Sequence, residues 1–88
     1  MRILVSGRVQ GVWFRASARE RATALGVDGS ARNLADGRVE LIAEGTADAI
    51  DSLIAWCGQG PSGARVDAVS VEEQELAGEP AGFRIGRE

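Results

Sequence analysis

Apolar and polar positions along the chain change period several times. Arg2 to Gly7 reads as a first strand, with Ile3 and Val5 on one face. A Gly7–Phe14 loop leads into a helical pattern over Ala16 to Leu25. Phe14, Ala18, Ala22 and Leu25 fall four, four and three apart, one face of that helix, and Gly26 stands where a left-handed cap is wanted. Val27 to Leu34 predicts a weak second strand, because Gly29 and Ser30 are poor strand formers. Ala35-Asp36-Gly37 reads as a hairpin turn, and Arg38 to Glu44 as a third strand with Val39, Leu41 and Ala43 inward and Glu40 and Glu44 outward. Thr46 then caps a second helix with Asp48 in its first turn. Its stripe is Ile50, Leu53, Ile54 and Cys57, and Gly58, Gly60 and Pro61 end it. Val66 to Glu73 is a fourth strand in which Val66 is out of phase with Val69 and Val71, as at a bulge. Gln74 to Gly82 reads as a loop and Phe83 to Ile85 as a short last strand.

The order is β-α-β-β-α-β with one extra strand. Right-handed crossovers are expected to place strand three beside strand one in parallel. The fold class this predicts is α+β: a ferredoxin-like split β-α-β sandwich, its sheet antiparallel in type, with both helices on one face.

Composition narrows the chemistry. The 88 residues leave room for one domain, residues 1–88. The single cysteine forms no internal disulfide, which suits a reducing compartment. The strand pattern starts at Arg2, leaving no space for a signal peptide, and the longest apolar run, Leu53 to Cys57, is too short for a membrane. A cytoplasmic protein with no membrane partner is expected. There is no His, Tyr or Lys, so histidine acid–base work, a Schiff base and a His-ligated metal are excluded. Residues 1–38 hold seven arginines against three acidic residues, a balance of +4; residues 39–88 hold three against ten, or −7. A positive first half suits a small anion, and the acidic remainder opposes a nucleic-acid track.

The stretch Gly7-Arg8-Val9-Gln10-Gly11-Val12-Trp13-Phe14-Arg15 crosses from strand to helix. Amides before a helix N-terminus point outward with partial positive charge and form an anion site. An arginine in the first helical turn opposes the helix dipole unless an anion sits between them, and Arg15 is so placed. Val9, Gly11 and Trp13 can offer N–H donors. Gln10 is read as contributing its backbone rather than its amide, and Val9 and Val12 as packing. Arg8 reads as a solvated loop charge. Asn33, before a tight turn, reads on its own as bonding its local backbone. Cys57 lies on the apolar stripe and reads as core, and Glu72, Glu73 and Glu75 as a solvated face without metal-site convergence.

This first stretch resembles the signature loop of the acylphosphatase family. Arg32-Asn33-Leu34-Ala35-Asp36-Gly37-Arg38-Val39-Glu40 is similar to that family's second motif, in the same order and at the same spacing. The likeness continues through Glu44-Gly45, Leu53-Ile54-Ala55-Trp56, Gly60-Pro61 and Phe83-Arg84-Ile85. It implies the fold predicted above. It also implies hydrolysis of the carboxyl-phosphate bond of small acyl phosphates to a carboxylate and inorganic phosphate, by a monomer that needs no cofactor and no metal. By resemblance Arg15 and Asn33 are the catalytic residues, Asn33 holding the attacking water. Val9, Gln10, Gly11, Val12, Trp13 and Phe14 form the substrate-binding loop; Trp13 has no firm role of its own in this reading, though it could wall the acyl side. Where the family often has bulkier residues this chain has Gly29-Ser30-Ala31, so strand two is expected to pack less firmly. Two other readings stay open: a non-catalytic phosphate-binding regulatory module of the same fold, and an RNA-binding sheet. The second is opposed by the net negative charge and by Phe83 being the sole aromatic on a predicted strand.

Overall fold

The computed structural model describes residues 1–73 and 82–86, so most of the loop expected at 74–82 lies outside the described residues. The elements run β1 (Arg2–Arg8), α1 (Phe14–Leu25), β2 (Asp28–Asn33), β3 (Val39–Glu44), α2 (Ala47–Cys57), β4 (Arg65–Glu72) and β5 (Phe83–Ile85). The strands form one sheet in the order β4-β1-β3-β2-β5.

The predicted direction of strand three is corrected. β3 runs antiparallel to β1, with Ile3 opposite Leu41 and Val5 opposite Val39. The crossover through α1 sets β2 parallel to β1 with a strand's width between them. The tight turn after Asn33 folds β3 back into that gap, antiparallel to both neighbours. β5 joins the outer edge of β2 in parallel, Ala31 opposite Ile85, which makes the sheet mixed rather than wholly antiparallel.

Alternation decides what the sheet buries. Ile3, Val5, Ala31, Val39, Leu41, Ala43 and Phe83 turn toward Phe14, Ala18 and Ala22 of α1 and Ile50, Leu53 and Cys57 of α2, forming the buried cluster. The helix ends are set as their residues predict. Gly26 closes α1 with φ 74°, and Thr46 Oγ1 accepts from the Ala49 N–H at 3.2 Å.

The other sheet face carries a charge cluster. Glu40 points away from the helices as expected, but it is only 5% exposed. Its carboxylate accepts from Arg2 Nε at 2.6 Å and Arg32 Nε at 2.7 Å, and Arg2 Nη1 also reaches Glu72 at 2.9 Å. Burial by itself pushes the Glu40 carboxyl up. Hydrogen bonds and charge from Arg2 and Arg32 outweigh it and hold the group below the usual glutamate value.

Two glycines are required by close backbone approach. The bulge implied by Val66 is present: the register of β1 on β4 steps from Ser6↔Ala68 to Gly7↔Val66, leaving Asp67 as the extra residue. Gly7, with φ 126°, meets this bulge, and a Cβ there would stand 2.1 Å from Arg65 O. Gly7 thus belongs to the first strand, as read from the sequence, and the strand runs one residue further, to Arg8. At Gly29, φ 140°, a Cβ would stand 1.7 Å from Ile42 O. The Gly29-Ser30-Ala31 stretch, expected to pack loosely, is paired on both edges, and Ala31 is fully buried.

Gly29→Ala therefore forces the β2–β3 ladder apart and costs roughly 2–4 kcal/mol by denaturant unfolding. A carboxyl lowered on folding contributes stability above its unfolded value of about 4.3 and loses it as pH falls toward the folded value. Glu40→Gln accordingly lowers Tm at pH 7, and its gap from wild type narrows below about pH 4; a gap that widens in acid would contradict the assignment.

Candidate active site

β1 ends at Arg8, and five residues carry the chain from there to α1. Val9 is buried and anchors the start of this crossing. Trp13 is the N-cap of α1, with φ 63° and ψ 22°, the sole non-glycine residue at positive φ among those described. That left-handed backbone costs a bulky residue roughly 1–2 kcal/mol. No side chain caps the helix and no acidic residue lies in its first turn. The Ser17 N–H donates to Trp13 O at 3.0 Å as the ladder's first bond, so the amides just before it face outward without a side-chain acceptor. Oriented N–H groups of this kind favour an anion.

These amides border a cavity of ≈ 330 Å³ lined by Val9, Gly11, Trp13, Phe14, Arg15, Ala16, Asn33 and Ile85. Arg15 and Asn33, from motifs far apart in sequence, are thus brought to one site. Arg15 lies in the first turn of α1, as its spacing predicts, and its Nη1 donates to Gly86 O at 3.3 Å. Asn33 closes β2, next to the turn. Its Oδ1 is shielded from solvent, yet no described residue donates to it. The expectation that Asn33 bonds its local backbone through this oxygen fails. An orphaned acceptor of this kind carries a desolvation penalty of about 1–3 kcal/mol and is suited to a ligand's O–H.

The other loop residues divide. Gly11 has φ 74° and open space where a Cβ would project, so its backbone can be approached closely. The Phe14 side chain is buried and packs on half-buried Trp56, the rings tilted by 51° with centroids 5.2 Å apart, leaving its backbone for the site. Gln10 and Val12 do not line the cavity. Val12 packs against the core. The Gln10 side chain was assigned no part in the sequence reading, and that is corrected: Nε2 donates to Leu34 O at 2.8 Å and to Arg38 O at 2.9 Å. It ties the loop to the turn that follows Asn33. The turn is itself closed by Leu34 N–H to Arg38 O at 2.8 Å and by Asp36, whose carboxyl is lowered by hydrogen bonding from Arg38.

Two contributions were missed from sequence: the Gln10 amide, and the β5 end, where Ile85 lines the cavity and Gly86 O receives Arg15. Both are long-range contacts that no local pattern signals. Cys57 is fully buried, and burial pushes its thiol up to about 12, so it is core and not a nucleophile. Among the described residues no three of Asp, Glu and Cys gather as a metal set, and no helix is long and apolar enough to cross a membrane.

Comparison with known proteins agrees with this architecture. The acylphosphatase family model matches residues 1–85. The chain is 56% identical to an acylphosphatase of Rubrobacter xylanophilus over 97% of its own length and 77% of the relative's. To an acylphosphatase of Methylococcus capsulatus it is 54% identical over 98% and 94%. The solved structure of an acylphosphatase from Coxiella burnetii superposes with a TM-score of 0.90 at 41% identity, covering 97% of this chain and 88% of that one. With both motifs brought to one cavity on this fold, the chain belongs to the acylphosphatase family.

Proposed function

We propose that the protein hydrolyses the carboxyl-phosphate anhydride of small acyl phosphates by direct attack of water on phosphorus. The observation that carries this reading is the pairing, in one cavity, of an unmet buried acceptor on Asn33 with Arg15 at an uncapped helix start. The guanidinium and the amides from Gly11 to Ala16 hold the phosphoryl oxygens and stabilise their charge as the bond breaks. The Arg15–Gly86 bond steadies the guanidinium. Asn33 Oδ1 accepts a hydrogen bond from water and turns its lone pair toward phosphorus.

The new bond joins water oxygen to phosphorus, and the bond from phosphorus to the acyl oxygen breaks. The carboxylate leaves with that electron pair and needs no protonation. The proton of the attacking water passes to a phosphoryl oxygen, giving inorganic phosphate. Phosphoryl transfer of this type rests on positioning and charge stabilisation, which suits a chain without His or Lys. The reading takes the whole chain as one domain acting as a cytoplasmic monomer on a soluble substrate. Its single, fully buried cysteine supports the reducing compartment.

Phosphate release from acetyl and benzoyl phosphate, with EDTA present, tests the assignment. Arg15→Ala lowers kcat about 10²–10³-fold and Asn33→Ala about 10²-fold, while both variants keep the wild-type circular dichroism spectrum. Undiminished turnover in Arg15→Ala, or a folded wild type that binds phosphate without releasing it from either substrate, contradicts the reading. Gln10→Met removes two hydrogen bonds from the loop-to-turn tie and costs roughly 1–3 kcal/mol of stability. Its kcat falls about tenfold through misplacement of Asn33, with a smaller change in inhibition by inorganic phosphate; equal loss in both would place Gln10 in the cradle itself.

A further inference from the structure

Gly60 stands in the connection between α2 and β4, at a place that ending a helix does not explain. α2 already stops at Cys57, with Gly58 as its cap. Two residues on, the Gln59 and Gly60 N–H groups both donate to Trp56 O, at 2.9 and 2.8 Å, and Gly60 turns left-handed with φ 69°. The backbone folded in this way lies against the edge of the Phe14 ring. A Cβ at Gly60 would stand 3.0 Å from Phe14 Cε2 and 3.2 Å from Ala64 Cβ. Packed carbons rest about 3.5–4.0 Å apart. Asparagine also accepts a left-handed backbone, so the φ angle alone does not demand glycine here; the ring does.

Phe14 has little room to yield. It is fully enclosed, and its ring also meets Trp56 with centroids 5.2 Å apart. The end of α2 and the turn after it thus hold the ring at two places. Along the same connection Gly63 passes beside Val12, where a Cβ would make ordinary contact at 3.6 Å. Ala64, whose N–H donates to Pro61 O at 2.9 Å, packs against the core. Val12 and Phe14 flank Trp13, and Phe14 is the first residue of α1, immediately before Arg15. The side chains that settle the start of α1 are therefore seated on a connection that itself lends no residue to the cavity lining.

We propose that this connection positions the phosphate-binding backbone, with Gly60 as the positioning residue. This rests on the hydrolytic reading above and concerns the phosphoryl half of that site. Phe14 cannot shift without carrying its neighbouring amides and Arg15 with it. Moved by a few tenths of an ångström, these donors lose alignment with the phosphoryl oxygens of substrate, transition state and inorganic phosphate alike. Gly60 therefore acts on phosphate affinity, whereas the Gln10 tie acts on the water side at Asn33.

Calorimetric titration with inorganic phosphate compares wild type, Gly60→Ala and Gly26→Ala. Gly26 has nearly the same φ, 74°, with nothing within 4 Å of an added Cβ, so it reproduces the backbone strain without the contact. Gly60→Ala weakens phosphate binding about three- to tenfold, a displacement of about 1 Å being worth on the order of 10². Gly26→Ala lowers Tm but keeps the wild-type affinity. In a Phe14→Leu background, which removes Cε2, adding Gly60→Ala costs no further affinity. Gly60→Asn supplies an arm independent of that background: asparagine accepts the backbone but carries the same Cβ, and affinity falls as in Gly60→Ala. Equal affinity in Gly60→Ala and Gly26→Ala, the same loss with and without the Phe14 ring, or full affinity in Gly60→Asn overturns the proposal and leaves the hydrolytic reading standing. A wild type that releases no phosphate from acetyl or benzoyl phosphate overturns that reading, while the titration, which needs no turnover, still decides on Gly60.

Discussion

The Gln10 carboxamide spans the space between the β1–α1 loop and the β2–β3 turn, and the geometry of the site depends on that span. Its two donors meet Leu34 O and Arg38 O, the carbonyls on either side of the turn. The loop supplies the amides and leads into Arg15; the turn follows directly on Asn33. The same two halves are also joined through the sheet by way of β3, and through β5, whose Gly86 O receives Arg15. A chemistry that relies on placement more than on proton transfer requires that such a distance be fixed.

The sheet divides its labour by face. The helix side holds the apolar cluster that seats α1, and Phe14, packed at a tilt against Trp56, fixes where that helix begins. The opposite side sets Glu40 between Arg2 and Arg32, linking β1, β3 and β2 across three strands. Arg32 precedes Asn33, so this charge cluster secures the strand end from which Asn33 reaches the cavity. At the outer edge, β5 covers β2 and brings Gly86 O to Arg15. The elements around the cavity are thus held by ordinary packing and pairing, and the departures from low-energy structure concentrate at the cavity. Those departures are the left-handed Trp13, the uncapped start of α1 and the unmet oxygen of Asn33.

Much of this was legible in the chain because it depends on local rules. The stripe Phe14–Ala18–Ala22, the Thr46 cap and the alternation of Val39, Leu41 and Ala43 each follow from period or capping chemistry. Val66 out of phase reported the bulge at Asp67 before any pairing was known. The errors arose where partners decide. The direction of β3 depends on which strand it lies between, and Glu40 is buried only because two arginines from neighbouring strands close over it. The reason for a glycine at position 7 was not legible, because it comes from Arg65 on another strand. Arg15 was legible from its place in the first helical turn, whereas Asn33 was legible only through motif resemblance, since from residues alone it reads as turn chemistry. The Gln10 amide and the β5 end carry no local signal at all.

The most direct measurement of the central claim is the fate of oxygen when benzoyl phosphate is hydrolysed in ¹⁸O-labelled water. Direct attack on phosphorus by a water held at Asn33 puts one labelled oxygen into the inorganic phosphate and none into the benzoate. Label in the benzoate would mean attack at the acyl carbon, and would contradict the assignment of the Arg15 cradle and the Asn33 oxygen to phosphoryl transfer.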